Sequence, residues 1–180
     1  MSTAVFTFGR MNPPTIGHEK LVNKLRKVAR LIRGQPFIYL SHSQDAKKNP
    51  LDYNSKIKIS QSAFGAIAKR STSNTIMKVM AELEAAKFTD VVLVAGSDRV
   101  KSFDQLLQQY NGKDYNFNSI KVVSAGQRDP DAEGAEGMSA SKMRDLAKDE
   151  NLEDFTKGLP LKVQKNGKDI MKNIRKGMKL

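Results

Sequence analysis

GRMNPPTIGHEKLV, residues 9–22, stands between two runs of different period. Before it, Ala4 to Phe8 (AVFTF) is apolar at nearly every position, as in a strand buried on both faces. After it, Leu21, Leu25, Val28 and Ile32 recur at helical spacing from His18 to Arg33, and Gly34 supplies a stop. The stretch is therefore the turn of a strand-loop-helix unit. Gly9 leaves the backbone unobstructed, Pro13 and Pro14 stiffen the chain, Gly17 permits close approach, and His18 enters the first helical turn. A histidine there can donate to a phosphoryl oxygen, helped by the positive end of the helix dipole. An ordinary tight turn ending in a polar residue would read the same way, so on the loop alone both readings stand.

Outward from this unit, Phe37–Leu40 reads as a second strand and Ser41–Tyr53 as a long polar loop. Ser55–Ala68 and Asn74–Lys87 return to helical spacing, and VVLVAG, Val91–Gly96, is a third strand. Ser97 and Asp98 offer N-cap chemistry to a helix through Phe103 and Leu107. Ile120–Ala125 is a fourth central strand, followed by a polar, acidic loop over Gly126–Gly137 and a helix over Met138–Lys148 starting at Ser139. Apolar strands alternating with helices predict an α/β fold: a Rossmann-like, doubly wound, mostly parallel sheet of about five strands. Residues 1–150 are expected to form that domain. Residues 151–180 are expected to add a basic helical extension, with a short helix at Leu152–Phe155.

The chain has 180 residues, within the span of one ordinary domain (roughly 100 to 200 residues). No stretch is long and apolar enough for a bilayer, and the first residues lack the basic-then-apolar order of a signal peptide, so no membrane association is expected. The absence of cysteine removes disulfides and thiolate chemistry and fits a reducing cytoplasm, where the chain is expected to reside. His18 and His42 are the only histidines, which argues against an imidazole metal site. The acidic group Asp129, Asp131, Glu133 and Glu136 reads as a solvated loop, and no metal ligand is expected from side chains. The net charge of +12 favours polyanionic partners. Over half of it sits from Lys157 to Leu180, where seven lysines and Arg175 face only Asp169.

In parallel sheets, ligands sit beyond the carboxyl ends of the strands, and phosphates favour helix N-termini. Besides residues 9–18, this directs attention to Ser41–Lys56, Gly96–Arg99 and the segment GMSASKMR, Gly137–Arg144. In the last, Ser139 and Ser141 can bond amides or phosphate oxygens, and Arg144 is within reach of the same helix end. Alone, that segment reads equally as an N-cap followed by a solvated arginine.

Together the segments carry a resemblance. Gly9, Asn12, Pro13, Thr15, Gly17 and His18 fall in register with the signature Gly-x-Phe-Asp/Asn-Pro-x-Thr/His-x-Gly-His of the nucleotidylyltransferase superfamily, the cytidylyltransferase-like fold; Met11 replaces its aromatic. Ser139-Ala140-Ser141-Lys142-Met143-Arg144 is similar to the second signature, Ser-Ser/Thr-Thr-x-x-Arg. Asn49-Pro50-Leu51 and the following helix resemble the substrate-side stretch, with Lys56 where many members have Arg. Gly96-Ser97-Asp98 resembles the turn of members that adenylylate nicotinate or nicotinamide mononucleotide. The basic ending is similar to that of nucleotidyltransferases of large tailed phages.

The resemblance implies transfer of a nucleoside monophosphate from ATP or another nucleoside triphosphate to a phosphorylated small-molecule acceptor, with pyrophosphate released. It assigns catalysis to His18, Thr15 and Arg10. Nucleotide binding would fall to Gly9, Met11, Asn12, Gly17, Gly96, Asp98, Ser139, Ser141 and Arg144, and acceptor binding to Asn49 and Lys56; His42, just after the second strand, is a further acceptor contact. Mg²⁺ would arrive on the nucleotide phosphates. Adenylylation of a mononucleotide is the first reading. A cytidylyltransferase making a CDP-linked alcohol or sugar is the second, although Arg128 lacks the spacing of that group's motif. A third reading is a nucleotide-fold binding protein whose tail docks on nucleic acid or an acidic surface. Self-association is left open.

Overall fold

The computed structural model describes residues 2–126 and 138–180. Strands β1 (Thr3–Gly9), β2 (Gln35–Leu40), β3 (Asp90–Ala95) and β4 (Ser119–Ser124) form one parallel sheet in the order β2-β1-β3-β4. Among the described residues the sheet has four strands, where about five were expected. Helices α1 (Ile16–Ile32), α2 (Tyr53–Phe64), α3 (Ile76–Ala85), α4 (Val100–Tyr110), α5 (Ala140–Lys148), α6 (Leu152–Gly158) and α7 (Gly167–Gly177) complete the order.

The described chain divides into two compact units that interleave in sequence. One contains residues 2–8, 20–41 and 69–126 and holds the sheet. Thr3 pairs with Asp90 and Phe6 with Leu93, while Asp90 pairs with Ser119 and Ala95 with Ser124. The core gathers Ala4, Phe6, Val91 and Leu93 of the strands with Val79, Met80 and Leu83 of α3 and Leu107 of α4. The face that α1 buries is Val22, Leu25 and Ala29, whereas Ile32, counted in the sequence stripe, is 45% exposed. Leu25 belongs to both faces; at the end of α1 the chain turns through Arg33 (φ 55°). A Cβ on Gly34 would lie 2.7 Å from Val5 Cγ2, so only glycine fits there without a shift.

The second unit contains residues 9–19, 42–68 and 138–180 of the described chain. It thus joins the loop after β1, the first turn of α1, the segment around α2 and all of α5, α6 and α7. The expected division at residue 150 follows the order of the chain; the compact units do not. Residues 151–180 pack with the loops through Phe155, Leu159, Val163, Ile170 and Ile174, each at most 4% exposed. The N-cap expected from Ser97 and Asp98 is absent. A single 3-10 turn, Ser97–Arg99, precedes α4, which has no side-chain cap. Asp52, Thr75, Ser139 and Asn151 do cap α2, α3, α5 and α6.

Candidate active site

The second unit builds its site around the turn 9–18. Four contacts fix that turn. Asn12 is fully buried and exchanges two hydrogen bonds with the backbone of Leu51: Nδ2 donates to the carbonyl at 3.0 Å and Oδ1 accepts the Leu51 N–H at 2.9 Å. Lys56, also fully buried, donates from Nζ to the carbonyl of Arg10 at 2.7 Å. Arg144 donates from Nη1 to the carbonyl of Asn12 at 3.0 Å. Thr15, 1% exposed, donates its hydroxyl hydrogen to the Met138 carbonyl at 3.3 Å. The Asn12–Pro13 peptide is cis and Met11 has φ 43°.

Thr15 also caps α1, its Oγ1 accepting the N–H groups of Gly17 (3.1 Å) and His18 (3.3 Å). His18 turns back to receive the Thr15 N–H on Nδ1 at 3.0 Å. An imidazole that accepts at Nδ1 carries its proton on Nε2 when neutral, which defines Nε2 as the donor. Through the contact of Thr15 with Met138, the start of α1 is tied to the segment entering α5. There Ser139 caps the helix by accepting the Lys142 N–H at 3.1 Å, and Ser141 is exposed in the first turn. Two helix N-termini, each with a positive dipole end, thus belong to one turn system.

The cations reinforce this polarity. Lys56 is lowered to about 8, by burial first and then by the charge of Arg10. Arg144 is lowered by burial and by Arg10, partly offset by Asp145 and Asp45. Asp45 itself is lowered to about 2 by hydrogen bonds, first from the Asn49 side chain and then from the Lys48 amide. Its carboxylate receives the amides of Lys47, Lys48 and Asn49 as well as Asn49 Nδ2 at 2.7 Å. That carboxylate closes its own loop.

In the loop after β2 and at the start of α2, the His42 and Tyr53 rings stack with centroids 3.8 Å apart and 24° between planes. Asn49 is 4% exposed, and its Oδ1 is buried with no hydrogen-bond donor among the described residues. A cleft of ≈ 510 Å³ lies beside Ile16, Met138 and Leu146. Its walls set Asp145, Asp149 and Asp154 against Lys142 and Lys157, a mixture ill suited to a triphosphate.

The predicted residues therefore fall into two groups. Arg10, Ser141, His18 and Arg144 are exposed or half-buried, whereas Met11, Asn12, Thr15, Asn49, Lys56 and Ser139 are buried. Lys56, expected at an acceptor phosphate, is wholly enclosed and donates to the Arg10 carbonyl. Gly9 and Gly17 lie in the same turn, at either end. Gly96 and Asp98 belong to the sheet unit, where a Cβ on Gly96 would sit 3.0 Å from Asp98 Oδ1. Arg128, Gly137 and the acidic group Asp129, Asp131, Glu133 and Glu136 lie outside the described residues. Sequence reasoning missed Tyr53 and Asp45. The spacing Asp45-x-x-x-Asn49 was a readable turn signal, whereas the stacking of Tyr53 on His42 depends on how the loop folds.

No family model matches the chain, and no curated protein matches it in sequence. Solved structures do match in shape. A provisionally named nicotinate-nucleotide adenylyltransferase of Vibrio parahaemolyticus is similar with a TM-score of 0.58 and 14% identity, over 93% of this chain and 99% of that one. TmcAL of Thermotoga maritima, solved with alpha-thio ATP, gives 0.53 and 12% identity over 99% of this chain; the match spans 56% of TmcAL. A macrolide-efflux protein of Streptococcus pneumoniae gives 0.50 and 18% over 89% of this chain and 66% of that one. At these identities the likeness is one of fold: the chain shares with these structures a Rossmann-like α/β fold, here with C-terminal helices.

Proposed function

We propose that this chain is a nucleotidyltransferase, moving AMP from ATP to the phosphate of nicotinamide or nicotinate mononucleotide. The observation that carries the reading is the gathering of Arg10, Lys56 and Arg144 around a turn flanked by two helix N-termini. Burial first and the charge of Arg10 second hold down the proton affinity of Lys56 and Arg144, and a polyphosphate would relieve the second. Gly9 supports it. A Cβ at this position would meet nothing within 4 Å, so protein packing does not require glycine and close approach of a ligand would.

The reaction needs no protein nucleophile. An oxygen of the acceptor phosphate attacks the α-phosphorus, the bond to the bridging oxygen breaks, and pyrophosphate leaves with the electron pair. His18 Nε2–H donates to the α-phosphoryl oxygen as its charge grows. Arg144 and Ser141 hold the β- and γ-phosphates, and Arg10 adds charge. Thr15 acts through His18 by capping α1 and fixing the ring. Mg²⁺, brought by the triphosphate, would neutralise phosphate charge; among the described residues no group of three or more carboxylates or histidines is placed to hold a metal, which suits one held by phosphates.

On the acceptor side, His42 stacked on Tyr53 offers a ring face, and Asn49 Oδ1 needs a donor from its ligand. The test is pyrophosphate release with ATP, CTP, GTP and UTP against a panel of mononucleotides and phosphorylated alcohols. ATP with a pyridine mononucleotide should be the productive pair. CTP with a phosphorylated alcohol would replace it by cytidylyl transfer, and failure of every triphosphate to bind would reject both.

A further inference from the structure

The basic charge of the C-terminal segment is not spread evenly over its surface. Helix α7 buries Ile170, Met171 and Ile174, and Val163 is buried just before it. Lys165, Lys168, Lys172, Lys176 and Lys179 are all exposed, at steps of three, four, four and three residues. At 3.6 residues per turn, Lys168, Lys172 and Lys176 fall within ~80° of arc, opposite Ile170 and Ile174. Successive lysines of this row are ~6 Å apart along the axis, close to two nucleotides of one strand at ~3.4 Å each. Asp169 is the one carboxylate on the stretch, and among the described residues the five lysines make no ion pair. Arg175, in contrast, is occupied by the carbonyls of Ala147 and Lys148 and by Glu150.

The row is also rigidly mounted. A Cβ on Gly177 would lie 1.9 Å from the Pro50 carbonyl oxygen, and one on Gly167 would lie 2.5 Å from Thr156 Oγ1, so α7 is seated closely at both ends. Just upstream, the Leu161 N–H donates to Glu19 Oε2, the residue after His18.

We propose that the lysine row of α7 is a binding track for the phosphate backbone of a nucleic acid. A membrane surface fits poorly, because a helix that binds lipid must offer its apolar face, and here that face is enclosed by the protein. The row supplies no base-reading geometry, so binding is sequence-independent and electrostatic.

The experiment is fluorescence anisotropy of a labelled, mixed-sequence 20-nucleotide single strand with the full chain, over a series of salt concentrations and without triphosphate. The logarithm of affinity should fall against the logarithm of salt with a slope of about −3, as for four to five lysines at ~0.7 each. In K168Q/K172Q/K176Q the slope should shrink to about −1, while triphosphate binding stays unchanged and shows the variant folded. Absence of binding at low salt, or an unaltered slope in the variant, would overturn the proposal. Capture by anionic phospholipid vesicles without affinity for the oligonucleotide would also overturn it.

Discussion

His18 and Lys56 define opposite roles for polar groups in the same turn. His18 stands half-buried at the loop-helix junction, its orientation set by the Thr15 amide, and is no part of the hydrophobic core. His18→Ala should therefore abolish turnover, by at least ~100-fold as for other positioned donors, with the thermal midpoint almost unmoved. Turnover within a factor of about two of the parent would remove His18 from the mechanism. Lys56 is enclosed, and its charge is a burden on the folded state. Its folded pKa of about 8 lies below the ordinary 10.5, so between those values the unfolded chain binds more protons and stability rises with pH. From about pH 7 to about pH 9.5 the parent should gain ~2 kcal/mol relative to Lys56→Met, measured by urea unfolding of both proteins. A gap independent of pH would show that Lys56 keeps its full charge at the higher pH. The sequence was informative about which residues meet here and less so about what each does. Asn12, Thr15 and Lys56 look like ligand contacts in a motif, but their hydrogen bonds go to Leu51, Met138 and Arg10, partners as far as 123 residues away.

At the scale of elements, β1, β2 and β3 were legible because burial on both faces leaves an unbroken apolar run, whereas β4 buries little beyond Ile120; each strand lies within about two residues of its expected bounds. Helix starts were legible where a cap is used, as at Ser139, and misread at Ser97, where a 3-10 turn takes the place of the cap. Helix seating was not legible, since a glycine in a lysine-rich run does not announce what it touches. Gly177 is the strongest case: a methyl group there would collide with the backbone of Pro50, which cannot rotate away. Gly177→Ala should cost ~1–3 kcal/mol, in the range of overpacked sites, despite the higher helix propensity of alanine. Gly9→Ala, facing open space, should leave stability within ~0.5 kcal/mol while weakening triphosphate binding. Denaturant midpoints and triphosphate titrations of the two variants check both statements. Equal stability losses would dissolve the distinction between a packing glycine and a ligand-facing one.

For the molecule as a whole, composition and hydropathy led to a domain with a tail, whereas the fold interleaves two units, and the one carrying His18, Lys56 and Arg144 draws on three separated segments. Hydropathy periods report local elements and carry no signal for which distant segments share a core. The consequence concerns the C-terminal 22 residues. Val163, Ile170, Met171 and Ile174 leave little surface to water, Gly177 abuts Pro50, and Leu161 is bonded to Glu19. Ending the chain at Gly158 would strip those contacts from the turn that orients His18 and from the segment that holds Asn12. Four buried aliphatic side chains represent ~6–12 kcal/mol of burial at ~1.5–3 each, comparable to the whole stability of a small domain. Truncation should therefore lower the thermal midpoint sharply and remove triphosphate binding together with nucleic-acid binding. The lysine-to-glutamine variant of α7 should lose only the second. Thermal unfolding with and without saturating triphosphate separates the two cases, because a ligand at ~100 times its Kd adds ~2.7 kcal/mol only to a unit able to bind it. If the truncated chain kept its midpoint and its ligand-induced shift, the C-terminal helices would be an appendage and the site would stand on the remaining segments alone.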